Sequence, residues 1–254
     1  MELGLFPVLA GAAFFAGFID AVVGGGGLIQ VPALFTVLPQ ELPATIFGTN
    51  KLSSVFGTSN AAWRYAHRVD MPWRTTLPAA FAAFACSYLG AMAVAWLPRE
   101  LLRPLILILL VGAAGYTFWR KDFGTIHRPQ QGDDHKLMVA LIIGGGIGFY
   151  DGFFGPGAGS FLIFLFIRFF GFDFLHASAS AKIVNVATNL AALCFFIPNG
   201  YWLPLMAIVM AVFNVLGSIV GTHLSLHHGS TFVRKVFLLV VSTLIVKFAW
   251  DTFV

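Results

Sequence analysis

The sequence predicts an all-α polytopic membrane protein made of two inverted repeats of five helical segments each, the second segment of each repeat being short and re-entrant or broken. Three observations predict it. Of 254 residues, 58% are hydrophobic and only 10% charged, with a mean hydropathy of +0.85, which is more apolar surface than one soluble core hides. The chain also matches itself at a spacing of 131 residues (182 − 51): Gly17, Phe18, Asp20, Gly24, Gly26, Leu34, Phe35, Lys51, Ser87, Gly90, Arg103 and Trp119 each meet an identical residue. Glycine and leucine match often in membrane chains, but aspartate, lysine, arginine and tryptophan do not. Finally, each copy holds five apolar segments, and an odd count makes the second copy enter the bilayer from the opposite side, as in many secondary transporters.

Apolar stretches run from about Gly4 to Val23, Gly26 to Leu38, Ala44 to Trp63, Trp73 to Leu97 and Leu101 to Trp119, and the same five recur beyond Lys136. The first is a retained helix and not a secretory leader, because Met1-Glu2-Leu3 carries no basic side chain and its homologous copy lies in mid-chain. The second, 13 residues long, reaches about 20 Å against a hydrocarbon core of about 30 Å. It follows Gly24 to Gly27 and precedes Pro39 and Pro43, so it reads as a broken helix, tolerated where it is buried in protein or lines a cavity. Its counterpart, Phe161 to Phe170 after Gly155-Pro156-Gly157-Ala158-Gly159-Ser160, has the same anatomy.

These segments give a first repeat over 1–120, a cytoplasmic linker over 121–136 and a second repeat over 137–254, in one integral membrane domain. Loop charge sets the orientation. The loop with Arg64, Arg68 and Arg74 has the uncharged Pro198-Asn199-Gly200-Tyr201 as its counterpart, and Arg120, Lys121, Arg128 and Lys136 join the halves. Basic residues mark the cytoplasmic face, so both termini are expected outside and the linker inside. The net charge of +4 does not indicate nucleic acid, because the basic residues are spread over short loops. Cys86 and Cys194 lie in apolar segments without a close partner and read as core residues; no metal site or cofactor is expected.

The chemistry is expected on the third helix of each copy, where Lys51, Ser54 and Thr58 recur as Lys182, Asn185 and Asn189 at i, i+3 and i+7, one face each. Asn50 neighbours the first trio. An isolated lysine near the bilayer centre costs about 2.5–3.5 kcal/mol on insertion scales, so two of them imply compensation by partners, water or substrate. The glycine turns add backbone N–H groups at the start of a short helix, which suit an anion; Gly25, Gly26, Gly157 and Ser160 are the candidates there. A small anion is therefore the expected substrate. Structural salt bridges, Asp20 with Lys51 and Asp151 with Lys182, are the alternative use of the lysines. Both hold if the carboxylates take a proton as the anion arrives, making Asp20 and Asp151 candidate coupling residues. His176 and His223 read as hydrogen-bonded, Gly217 and Gly221 as a close-packing pair, and Trp63, Tyr65, Trp73, Tyr201 and Trp202 as interfacial belts.

Four stretches, Gly17 to Pro32, Gly48-Thr-Asn-Lys-Leu52, Gly148 to Phe161, and Ala181-Lys-Ile-Val-Asn185 with Asn189-Leu-Ala-Ala192, resemble the sulfite exporter TauE/SafE family, also called the toluene-sulfonate uptake permease family. The likeness covers almost the whole chain and is nearest to the bacterial branch described as probable membrane transporters. It implies an inner-membrane carrier for sulfur oxyanions or organosulfonates such as sulfite, thiosulfate, sulfoacetate or sulfolactate. Relatives often hold a small hydroxyl residue where this chain has Ala158, which weakens a side-chain contact with an oxyanion there. An alternating-access carrier is the leading expectation. An anion channel would share the charges but need a continuous wet pore. An intramembrane hydrolase using Ser160 is disfavoured, since no histidine base accompanies it and its repeat mate is Ile29. A homodimer is one possible assembly, with lipid as the other surrounding partner.

Overall fold

The computed structural model describes residues 5–94 and 133–253. Among the described residues there are eight helices and no strand: α1 (Leu5–Val23), α2 (Gly27–Val37), α3 (Pro43–Ala66), α4 (Trp73–Ala93), α5 (Asp133–Phe153), α6 (Ala158–Phe170), α7 (Phe174–Phe196) and α8 (Pro204–Phe253). The fifth apolar segment of the first repeat, Arg103 and most of the linker lie outside the described residues. The all-helical membrane architecture stands. The duplication is visible in the elements, because α2 and α6, α3 and α7, and α4 and α8 each begin 131 positions apart. Local chemistry sets these starts. Pro43 opens α3 at its first turn, where its missing N–H is no loss, and α6 closes on Gly171 in the left-handed region at φ 70°. Gly229 (φ 69°, ψ −164°) breaks α8 into two limbs.

Among the described residues, five helices are long and apolar enough to cross a bilayer: α1, α4, α5, α7 and α8. Although 24 residues long, α3 is not among them. It is polar because Thr45, Thr49, Asn50, Lys51, Ser53 and Thr58 all face inward. The molecule is inverted relative to a soluble protein, with Phe81 77% exposed while Lys182 is 0% exposed. Large apolar side chains cover the exterior, while polar ones, many of them on α3 and α7, are held inside an otherwise apolar core.

The short helices are sheltered, as their length demands. Leu162, Ile163 and Phe166 of α6 sit in the largest core cluster with residues of α4, α5, α7 and α8. Leu34 of α2 packs with Leu9, Ala13, Ile46, Met206 and Met210. At 11 and 13 residues, they reach only about 17 and 20 Å, too little to span a core of about 30 Å. Their unpaired terminal groups therefore belong inside the protein.

Close packing joins the two copies crosswise. Gly17 meets the backbone of Asn214, Gly217 that of Phe14, and Gly221 that of Phe18, so α1 and α8 lie side by side in one direction. The 131-residue images do the same between α4 and α5: Gly148 meets Ala83, Gly152 meets Ser87, and Gly90 meets Phe149. Gly217 and Gly221 thus act as the close-packing pair expected. Hydrogen bonds repeat the pattern. Ser218 Oγ donates to the Gly57 carbonyl at 2.6 Å and its image Ser87 Oγ to the Thr188 carbonyl at 2.8 Å.

Two sequence readings change. Tyr65 is not an interfacial residue; it is fully buried, with its hydroxyl donating to the Ala21 carbonyl at 3.0 Å. Cys194 is exposed on the apolar exterior instead of buried in the core. His176 is hydrogen-bonded as expected, since its backbone N–H and Nδ1 both reach Asp173 Oδ1, at 2.8 and 2.7 Å. Asp173 is the N-cap of α7. Burial alone would raise its carboxyl, but the hydrogen bonds and charge of His176 outweigh this and hold it below the ordinary carboxylate range. Asp173→Ala is expected to cost about 1 kcal/mol, read as a lower melting temperature in detergent at neutral pH. Because the folded value lies below the unfolded one, near 4, the stabilisation is complete above about pH 5 and fades as pH falls through the folded value. The gap between wild type and variant should close on acidification; a gap independent of pH counts against this cap.

Candidate functional site

The site forms where the two glycine turns cross between the third helices. The turn after α1 bends at Gly24, whose φ of +73° favours glycine, and a Cβ there would collide with the Gly159 backbone. The crossing admits no side chain. Around it, the α1 C-terminus has its last carbonyls satisfied by hydroxyls from three other helices: Tyr65 donates to Ala21, Ser178 to Val22 at 2.9 Å and Ser160 to Val23 at 2.8 Å. Ser160 Oγ is therefore a structural donor that ties α6 to α1.

Lys51 and Lys182 occupy equivalent depths, each eight residues into its helix, or about 12 Å. Both are buried, at 2% and 0% exposure. Each pairs with an aspartate, but across the copies: Lys51 Nζ lies 2.8 Å from Asp151 Oδ1 on α5, and Lys182 Nζ lies 3.5 Å from Asp20 Oδ2 on α1. The pairing of Asp20 with Lys51 and Asp151 with Lys182, read from sequence, is thus exchanged. The physical reason lies at the crossing of the two turns, where Gly155 after α5 lies beside Lys51 Nζ and Gly24 after α1 lies against Gly159, so the carboxylate near the end of each of these helices reaches the other copy's lysine.

The two pairs differ in geometry. Lys51 has a hydrogen-bonded contact, and the Gly155 backbone approaches it so closely that a Cβ would sit 3.3 Å from Nζ. Asp20 Oδ2 instead accepts a hydrogen bond from Thr58 at 3.0 Å, and Lys182 Nζ has charge compensation at 3.5 Å without a hydrogen bond. Removing one member of a buried pair costs about 3–5 kcal/mol, so the four residues act as two units.

The other candidates gather unevenly. Asn185 Nδ2 lies beside Gly159, and Gly25 faces Ser160 Oγ. Asn50, Asn189 and Gly157 are buried, with Gly157 as the N-cap of α6 at φ 86°. The Oδ1 atoms of Asn50 and Asn185 have no hydrogen-bond partner among the described residues. Ser54 is only half-buried, while Ser53, which the i, i+3, i+7 stripe omitted, is fully buried with an unpartnered Oγ. Gln30 was also missed. It is fully buried on α2, its Oε1 accepts from Asn214 Nδ2 at 3.0 Å, and its Nε2 is unpartnered. The available signal was one amide in an otherwise apolar run directly after the glycine turn.

A family profile described as sulfite exporter TauE/SafE matches residues 9–248. The chain belongs to this family. Among curated relatives, the probable membrane transporter protein YfcA of Escherichia coli strain K12 is 34% identical over 250 residues, 97% of this chain and 91% of that protein. The probable membrane transporter protein ORF9 of a Sinorhizobium species is 32% identical over 248 residues, 97% and 93% of the two chains. A probable membrane transporter protein of Haemophilus influenzae is 30% identical over 254 residues, 99% and 98%. No solved structure matches. The TauE/SafE profile spans both lysines, both aspartates and both glycine turns, so the site lies within the part of the chain that defines the family. Membership makes the protein an integral membrane transporter.

Proposed function

We propose that this protein is a secondary carrier in a bacterial inner membrane that moves a small anion, a sulfur oxyanion or organosulfonate, by alternating access between two inverted repeats. The observation that carries the reading is the exchanged pair of buried Lys–Asp contacts, because these four charges belong jointly to both halves. Rocking one half against the other must therefore change their surroundings. An arriving anion competes with Asp20 and Asp151 for the ammonium groups, and these two carboxylates are the proposed coupling residues, exchanging a lysine partner for a proton. Asn50, Asn185, Asn189, Ser54 and Thr58, with N–H groups near Gly25, Gly26 and Gly157, complete the proposed binding set, joined by Gln30 and Ser53. Tyr65 and Ser160 hold the scaffold.

Inversion is supported by helix direction. α1, α3 and the first limb of α8 run together, as Thr49 near Leu203 and Gly57 near Asn214 and Ser218 indicate. α4, α5 and α7 run together as well, through Thr76 with Ser180 and Ser87 with Thr188. α3 and α4 are joined by a six-residue connection, which sets the two groups in opposite senses and opposes α1 to its image α5. Low exposure of both lysines favours a carrier over an open pore. In proteoliposomes, uptake of labelled sulfite or sulfoacetate is expected to saturate and to accelerate when unlabelled anion is loaded inside. Flux that rises linearly with concentration and shows no such exchange would refute the carrier reading.

A further inference from the structure

Away from the lysine pairs, a cavity of about 430 Å³ opens where the first turns of α4 and α5 meet the end of α6. Its floor is apolar, formed by Phe170, Phe172 and Met71, and its rim carries Trp73, Arg74 and Lys136. Phe170 and Phe172 are buried, Lys136 is half-buried, and Trp73 and Arg74 are exposed. Neither cation has an ion-pair partner among the described residues. Asp173, the carboxylate that follows Phe172, is engaged with His176. The α4 N-terminus at Pro72 also lacks a side-chain cap, so its positive dipole end adds to the two cations.

We propose that this cavity binds one anionic phospholipid, its phosphodiester held between Arg74 and Lys136 and its glycerol and upper acyl chain laid on Phe170, Phe172 and Met71. The argument is one of complementarity. A free inorganic anion would use the cations and leave the aromatic floor unmatched, whereas a zwitterionic lipid would match the floor and leave a net positive rim. Basic hollows between membrane helices suit anionic headgroups for this reason, and a tryptophan at the rim fits the depth of the headgroup layer. The lipid would bridge α4, which packs on α7, and α5, which carries Asp151. Occupancy thus ties the helix bearing one site carboxylate to its neighbour. The inference rests on the cavity and not on the proposed transport activity.

The test uses the full-length protein in phosphatidylcholine nanodiscs titrated with phosphatidylglycerol, with the melting temperature and the lipids retained in native mass spectrometry as readouts. Wild type is expected to keep one phosphatidylglycerol after delipidation and to melt several degrees higher with it, an effect that weakens as salt rises. The Arg74→Gln, Lys136→Gln double variant should lose both effects while melting like wild type in pure phosphatidylcholine. Arg64→Gln, on the same face but outside the cavity lining, should keep them. Phosphatidylglycerol retained equally by the double variant overturns the proposal. So does an equal shift from inorganic phosphate alone, which would mark the hollow as a free-anion site. Should the double variant melt early in phosphatidylcholine, the wild-type comparison of phosphatidylglycerol, phosphatidylcholine and phosphate still decides.

Discussion

Lys51→Met is expected to abolish anion flux and also to lower stability by about 3–5 kcal/mol, because it leaves Asp151 buried beside an apolar side chain. The two effects separate in the charge-neutral double variant Lys51→Met, Asp151→Asn. Its members no longer demand compensation, so folding should largely recover. Flux should not, since the cation that attracts the anion is gone. Lys182→Met is expected to abolish flux with a smaller loss of stability. Its partner Asp20 keeps the Thr58 hydrogen bond at 3.0 Å and is partly exposed, so the orphaned carboxylate is better tolerated. The measurements are sulfite or sulfonate flux in proteoliposomes and melting temperature for the four proteins. Transport at the wild-type rate in the double variant would remove Lys51 from the site and leave it a purely structural cation.

Much of this arrangement was legible before any coordinates. The duplication places Lys51 and Lys182 at the same depth, and glycine and proline punctuate the short helices, so α2 and α6 were readable as segments too short to span. The pairing of charges was not. A repeat places Asp20 relative to Lys51 as it places Asp151 relative to Lys182, but whether a pair closes within a copy or across copies depends on which helices touch. That is decided by the crossing of the turns, Gly24 against Gly159 and Gly27 against Pro156, whose partners a linear spacing does not reveal. The reading of Ala44 to Trp63 as an apolar stretch overstated α3, which is not among the helices apolar enough to cross a bilayer because it turns a polar face inward. Tyr65 misled for a related reason. An aromatic near a helix end reads as an interfacial anchor, yet its hydroxyl satisfies a carbonyl at the end of α1 that would otherwise be unpaired.

The glycine crossing should tolerate little change. Gly159→Ala is expected to destabilise the protein by about 1–3 kcal/mol, the range for overpacking a tight interior, and to impair flux. The added Cβ would lie 2.5 Å from Gly24 Cα and 2.7 Å from Asn185 Nδ2, so either the turn or the asparagine must move. Gly24→Val should be worse. It meets the same backbone from the other side and also forces a β-branched residue to φ +73°, where an L side chain adds about 1–2 kcal/mol. Gly146→Ala on α5 is the control, since nothing lies within 4 Å of its would-be Cβ and alanine is the better helix former by about 1 kcal/mol. Melting temperatures should rank Gly146→Ala at or above wild type, then Gly159→Ala, then Gly24→Val. The physical point is that the two turns serve the site by backbone proximity. Substituting Gly159 moves Asn185 without removing a charge, and flux should fall while both Lys–Asp pairs remain. Wild-type stability and flux in Gly159→Ala would show that the turns do not touch during transport and that the crossing lies outside the site.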